Sequence, residues 1–178
     1  MRLFFGAWIT SLAVLGFPSS SSSQDLPEAL LRSFEEVERK VFALAEAMPE
    51  ATYAWAPAEG VRSVSRALMH LVGANYGVLT RIGAEIPSEV PEIWYRNPES
   101  VTEKGTVLEA LRASFRFAHR VLEETPVATY GDQAPSAGPG TSIVSQLVLL
   151  DAHAHEHLGQ LIAYARMNGI APPWSGGS

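Results

Sequence analysis

Apolar residues recur along this chain with the period of an α-helix in four segments, and no segment alternates apolar and polar residues as a β-strand does. The first helix is predicted over residues 25–48, and the second begins after the N-cap Ser63 and ends near residue 83. The third is predicted over residues 106–124 and the fourth over residues 141–168. The pattern therefore predicts an all-α domain of four helices. The period is clearest in the apolar stripe of the first helix, which consists of Leu30, Phe34, Val37, Val41, Leu44 and Met48.

Two of the connections between these helices are long and contain proline. Residues 87–105 join the second helix to the third, and residues 126–140 join the third to the fourth. Proline and glycine make both connections irregular. Connections of this length allow the chain to cross from one end of a bundle to the other, so a simple up-down-up-down order is not required.

The N-terminal residues have the order of a secretory signal peptide. Arg2 supplies a positive charge, residues 3–17 are apolar and uncharged, and Pro18 and the serine run 19–23 follow. We interpret residues 1–23 as a cleavable signal peptide and residues 24–178 as the mature domain, with an uncleaved N-terminal anchor as the alternative. The apolar run is short for a transmembrane helix. We therefore expect a secreted or periplasmic protein with no stable membrane insertion after cleavage.

Composition narrows the classes of function. The 178 residues carry a formal net charge of -6 and show no basic stripe, which argues against a nucleic-acid partner. Cysteine is absent, so disulfides, thiolate metal ligands and a cysteine nucleophile are excluded. An exported chain without cysteine is typical of a bacterial extracytoplasmic protein that is stabilised by its core alone.

The residues that can support chemistry are concentrated in the fourth helix. His153 and His157 lie four residues apart, so their side chains fall about 40° apart on one face of the helix. Two imidazoles placed in this way can bind the same ion, and a third ligand must come from another helix. His70, among apolar neighbours in the second helix, is the candidate. Three neutral imidazoles leave coordination positions open, which is typical of catalytic rather than structural metal sites.

Other interpretations of these residues are common. A His pair at this spacing is often solvated, and a single His on an apolar face is often a hydrogen-bonded core residue. Gln160 and Tyr164 lie on the face of His153, and we expect them to orient a substrate or groups around the metal. Glu156 lies about 60° to the side and is the nearest candidate for a proton carrier. His155 points to the opposite side, where we expect it to be solvated.

Two glycines, Gly73 and Gly77, lie beside His70 on the second helix. Glycine lowers the stability of a helix interior by about 1 kcal/mol relative to alanine, so two on one face need a reason. Close approach of another element and space for a substrate both explain them. On the third helix, His119 is expected to be solvated.

The segment from His153 to His157 also matches the H-x-x-E-H pattern of the inverzincin metalloproteases, in which Glu156 would be the base. Those enzymes need a further carboxylate ligand well downstream. No Asp or Glu follows Glu156 in this chain, and only 21 residues follow His157. A metalloprotease of this class is therefore rejected.

Motifs along the chain resemble, in order, those of the DinB-like proteins, a bacterial superfamily of four-helix metal-binding domains. The most specific motif is His153-x-x-Glu-His-Leu-Gly-Gln-Leu-Ile-Ala-Tyr164. The resemblance covers nearly all of the chain from about residue 24 onward. Its other motifs lie at residues 53–57, 61–64, 73–76, 111–115 and 167–175.

The resemblance implies an up-down-down-up four-helix bundle with long crossover loops. It also implies one buried divalent metal ion, zinc, nickel or iron, bound by His70, His153 and His157. Some relatives are thiol-dependent S-transferases, some are regarded as hydrolases, and many have no known activity. Family members often form dimers, so a homodimer is compatible with the resemblance. Because the signal peptide directs this chain out of the cytosol, a cytosolic thiol is not the expected cosubstrate.

We therefore expect a secreted, metal-dependent hydrolase or transferase that acts on an unidentified small molecule. In such an enzyme the metal acts as a Lewis acid or activates a water molecule. The alternative is a non-catalytic bundle that binds a metal ion or a small ligand without turnover. A coordination position that faces a solvent-connected cavity would favour the enzyme.

Overall fold

The computed structural model describes residues 25–176, and the signal peptide predicted over residues 1–23 lies outside this range. Four long helices form within it, and a single helical turn lies in the connection between the second and third of them. Apart from one isolated bridge, no β-structure forms among these residues, which confirms an all-α fold. In chain order the helices are α1 (Asp25–Ala47), α2 (Val64–Arg81), the one-turn α3 (Ile93–Arg96), α4 (Lys104–Glu124) and α5 (Ile143–Met167).

The helix ends follow local capping chemistry. The hydroxyls of Ser63 and Ser142 accept hydrogen bonds from backbone amides in the first turns of α2 and α5, as expected of serine N-caps. Helix α4 begins two residues before the predicted position 106. The reason is Glu103, whose carboxylate accepts hydrogen bonds of 2.7 Å from the backbone amides of Gly105 and Thr106.

The long helices enclose a single apolar core. Helix α2 packs against α4 and α5, and α1 packs against the same two helices. All six residues of the stripe predicted for α1 are buried. Phe34 of α1 contacts Phe115 of α4 with a ring-centroid distance of 5.2 Å. No helix within residues 25–176 combines the length and the apolar character that crossing a membrane requires. The up-down-down-up order of the helices stays a prediction.

The connection between α2 and α4 is more ordered than the sequence suggested. It contains α3 and a 3₁₀ turn, Pro98–Ser100, and both pack against α2. A Cβ added at Gly73 would lie 2.7 Å from Cγ of Pro98, so the glycine allows this close approach. The packing brings Glu99, the residue after Pro98, to the side of α2.

His119 on α4 is not solvated, and that expectation was wrong. Its Nε2 lies 2.5 Å from Oε2 of Glu38 on α1, its ring packs edge-on against Phe34, and its side chain is only 20% exposed. The hydrogen bond with Glu38 raises the pKa of His119. Burial opposes this shift, and the charges of Glu35 and Glu123 support it. A residue at the edge of a helical stripe can be covered by a neighbouring helix, which its own periodicity does not show.

Candidate metal centre

Three histidines meet where α2 packs against α5. His153 and His157 lie on successive turns of α5, and His70 lies on α2. One ring nitrogen from each lies within 4.8 Å of the other two. The Nε2 atoms of His153 and His157 are 3.1 Å apart. Nitrogen ligands at about 2.0–2.1 Å around a tetrahedral zinc ion are separated by about 3.3 Å. The cluster therefore fits a divalent metal ion.

The surroundings favour the neutral forms of His153 and His70. Burial lowers the pKa of His153 to about 4, and the neighbouring His157 and His70 act in the same direction. Burial also lowers the pKa of His70, with further contributions from Arg62 and His157. A histidine must be neutral to donate a lone pair to a metal ion. At neutral pH both residues are therefore in the form that binds metal.

A chain of hydrogen bonds fixes the tautomer of His157. The hydroxyl of Tyr164 donates to the backbone carbonyl of Arg62 at 3.1 Å. Because that hydroxyl has a single proton, it accepts the 2.8 Å hydrogen bond from the amide nitrogen of Gln160. The amide oxygen of Gln160 therefore faces Nδ1 of His157 at 2.8 Å, and Nδ1 carries the proton. The lone pair of His157 remains on Nε2, which faces His153.

A carboxylate takes the corresponding position beside His70. Oε1 of Glu99 lies 3.4 Å from Nδ1 of His70. Arg62 donates to Oε1 of Glu99 at 2.7 Å, and Arg66 donates to Oε2 at 2.8 and 3.1 Å. Burial raises the pKa of Glu99, but the hydrogen bonds from the two arginines outweigh burial and hold it below its usual value. A fixed carboxylate at Nδ1 favours the tautomer of His70 that leaves Nε2 free.

Two cavities adjoin the residues of the centre. The first, of about 350 Å³, is lined by His70 and His153 together with mostly small and apolar residues of α2 and its neighbours. The second, of about 370 Å³, is polar and is lined by Arg62, Arg66, Glu99 and Gln160 among others. Solvent and small molecules can therefore reach two of the three histidines from the side of the first cavity.

The structure brings together His70, His153 and His157 as the sequence analysis predicted. Gln160 and Tyr164 lie in the hydrogen-bonded chain behind His157. Glu156 is exposed and lines neither of the two cavities. Its role as a proton carrier stays a prediction. The expectation for His155 is confirmed, because its side chain is 44% exposed and its Nδ1 lies 3.0 Å from the carbonyl of Asp151.

Glu99, Arg62 and Arg66 are not among the site residues predicted from the sequence. Glu99 lies in a short 3₁₀ turn of a connection that carries no periodic pattern. It is 37 residues from Arg62 and 33 residues from Arg66 along the chain. Arg66 lies four residues before His70 on α2, so helical spacing places it on the same face, whereas no local signal places Glu99 there. Arg62 lies just before α2, and Arg66 lies in its first turn. This pair of positive charges was the one indication in the sequence that an anionic group lies near the start of α2.

The two glycines beside His70 have different roles. The space above Gly73 is filled by Pro98, as described for the fold. A Cβ added at Gly77 would meet no atom within 4 Å. Gly77 lines the first cavity, so the empty space above it is part of that cavity. Close approach of another element therefore explains Gly73, whereas Gly77 leaves open space and its use by a substrate stays a prediction.

Comparison with known proteins agrees with the geometry of the site. The family model described as the DinB superfamily matches residues 33–161, more than two thirds of the 178-residue chain. The match includes all three histidines of the cluster. Comparison with curated proteins finds no match. The chain belongs to the DinB superfamily.

Proposed function

We propose that this member of the DinB superfamily binds one divalent metal ion through His70, His153 and His157 and is a metal-dependent hydrolase or transferase. The observation that carries the proposal is the three-histidine cluster, whose ligand atoms all lie within 4.8 Å of one another. Imidazole donors suit zinc, nickel and iron, and we propose an ion from this group. When bound, the ion supplies a Lewis acid to the reaction.

The hydrogen-bonded groups behind the ligands support a site that is ready for metal. Gln160 holds the proton of His157 on Nδ1, and Glu99 faces the Nδ1 of His70. Both contacts favour the tautomer in which Nε2 is unprotonated and free to bind the ion. Second-sphere contacts of this kind commonly change metal affinity or activity by about 10–100-fold.

Access from solvent to the metal centre favours a catalytic site over a bundle that only binds the ion. Three protein ligands leave at least one coordination position for a substrate or water. His70 and His153 line the 350 Å³ cavity, so a small molecule can approach the ion from that side. Glu156 is proposed as a proton carrier from its place beside His157. We also propose that the protein is exported, on the basis of the apolar N-terminal segment after Arg2.

Metal analysis of the purified mature protein tests the centre. We expect about one divalent ion per chain in the wild type and its loss in His153→Ala. His155→Ala is the matched control, since it removes an exposed imidazole from the same helix and should retain the ion. A wild-type protein that contains no metal and does not bind added zinc or nickel would refute the proposal.

Activity and location need separate measurements. Ester hydrolysis, amide hydrolysis and thiol transfer should be screened with wild type and His153→Ala, with turnover expected only in the metal-loaded wild type. A protein that binds metal but turns over none of these substrates would favour the non-catalytic module. N-terminal sequencing of exported protein should begin between residues 21 and 25, and a cytosolic chain beginning at residue 1 or 2 would contradict export.

A further inference from the structure

The cavity beside the histidines continues well beyond them along α2. We call it the apolar cleft; it has a volume of about 350 Å³. Small-molecule sites typically have volumes of about 300–1,000 Å³. His70 and Arg81 both line it, and they lie eleven residues apart on α2. At about 1.5 Å per residue, the cleft follows the helix for about 16 Å.

The middle of the cleft is apolar, and part of its wall is bare of side chains. The space above Gly77 is not used for packing, because no atom lies within 4 Å of a Cβ added there. A glycine that destabilises a helix without serving its packing is consistent with room kept for a ligand. Leu149 of α5 lines the opposite wall and is 41% exposed. An apolar ligand in the cleft would cover this side chain, and burial of the apolar surface would contribute favourable binding free energy.

The far end of the cleft carries a positive charge that has no ion-pair partner among the described residues. Arg81 lies in the last turn of α2, and its guanidinium forms no ion pair with any residue in the range 25–176. None of the residues that line the cleft is acidic. A guanidinium binds a carboxylate through two parallel hydrogen bonds, which makes a carboxylate a suitable partner.

We infer that the apolar cleft binds an elongated small molecule with an apolar body and a terminal carboxylate, and that the carboxylate lies at Arg81. The opposite end of the molecule then lies at His70 and His153, where the reacting group would be. The second statement rests on the proposed metal centre, whereas the binding of the apolar carboxylate itself does not. The substrate class is therefore an apolar carboxylic acid with a hydrolysable or transferable group at its other end.

Binding of the apolar carboxylate can be measured without metal. Octanoate and 1-octanol share an apolar chain and differ in charge, and each can be titrated into chelator-treated full-length mature protein by NMR. We expect octanoate to bind at least tenfold more tightly than 1-octanol in the wild type. Arg81→Gln should abolish this difference. Arg166→Gln is the matched control, because Arg166 is an exposed arginine in the last turn of α5 and does not line the cleft.

A second variant tests the location. Gly77→Leu places a large side chain in the cleft, and the Cβ of that side chain meets no atom within 4 Å. We expect it to weaken the binding of both octanoate and 1-octanol at least tenfold while the thermal stability is retained. Equal affinities of the two probes for the wild type would overturn the inference. So would an Arg81→Gln protein that binds octanoate as tightly as Arg166→Gln does.

A zinc-loaded arm separates this inference from the proposed metal centre. The monohydroxamate of octanedioic acid carries a metal-binding group opposite its carboxylate. It should bind zinc-loaded wild type at least tenfold more tightly than octanoate, and His153→Ala should abolish that gain. If the gain is absent while the octanoate results hold, the metal centre fails and the cleft stands. If the hydroxamate binds but Arg81→Gln has no effect on either probe, the cleft inference fails and the metal centre stands.

Discussion

Replacing Gln160 by leucine removes one well-defined hydrogen bond behind a proposed metal ligand. The amide oxygen of Gln160 accepts from Nδ1 of His157 at 2.8 Å, and this contact keeps the lone pair of His157 on Nε2. Leucine has a similar volume and accepts no hydrogen bond. Nδ1 of His157 therefore loses its acceptor in Gln160→Leu, while the aliphatic part of the side chain is preserved.

The magnitude follows from the two tautomers that then compete. In the variant, a proton on Nε2 of His157 can be donated to Nε2 of His153, which lies 3.1 Å away. This tautomer points a proton into the place proposed for the ion. One hydrogen bond is worth about 0.5–1.5 kcal/mol net. Since about 1.4 kcal/mol corresponds to a factor of ten, we expect zinc to bind about 2–12-fold more weakly to Gln160→Leu.

Gln160→Glu provides the matched comparison. A carboxylate at this position still accepts from Nδ1 of His157, so the tautomer and the zinc affinity should stay within about threefold of wild type. Competition with a chromogenic chelator measures the zinc affinity. Ring ¹⁵N chemical shifts of the metal-free protein report the tautomer directly, with the Nδ1-protonated form expected in wild type and Gln160→Glu only.

Two results would refute this reasoning. One is a Gln160→Leu protein that binds zinc as tightly as wild type, because the hydrogen bond would then have no effect on the ligand. The other is an equal loss of affinity in Gln160→Leu and Gln160→Glu. That outcome would mean that the amide acts through packing or through its bond to Tyr164, and not through its oxygen.

The remaining predictions concern stability. Gly73→Ala should be less stable than Gly77→Ala by about 1–3 kcal/mol in thermal melts, because only the first variant places a Cβ 2.7 Å from Pro98. Equal melting temperatures would show that the connection carrying Pro98 moves away from α2 at no cost. The hydrogen bond to Glu38 raises the pKa of His119. The stabilisation of the fold by this pair is therefore complete below the pKa of an unfolded histidine, about 6.5, and is lost as the pH rises through the pKa of His119 in the folded protein. In urea melts, His119→Gln should therefore differ from wild type more at pH 5.5 than at pH 8.5, and a larger difference at pH 8.5 would contradict the pair.

The helices could be predicted because their signals are local. The apolar stripe of α1 and the serine caps of α2 and α5 act within a few residues, and the observed ends lie within about two residues of the predicted ones. Helix α4 starts two residues earlier than predicted because Glu103 caps it, and glutamate is not among the residues preferred at this position. One-turn helices such as α3 are too short to show a period.

The candidate site was predictable in part for the same reason. His153 and His157 share a helix face, so their spacing alone places them together. Helical phase also placed Gln160 on the same face. Glu99 was not predictable. It lies in a connection that packs against α2, and more than thirty residues of sequence separate it from the arginines that it contacts there. Contacts of that separation depend on the tertiary fold and leave no periodic trace in the sequence.

One residue links the groups that orient the proposed ligands on α2 and α5. Arg62, one residue before the N-cap of α2, supports both sides of the cluster. Its side chain holds Glu99 beside His70, and its backbone carbonyl accepts from Tyr164 in the chain that ends at His157. The apolar core, in contrast, consists mainly of residues of the four long helices, and none of the three histidines belongs to it. The metal ion should therefore stabilise the native state by mass action, as any ligand of the native state does. We expect the protein to fold without it.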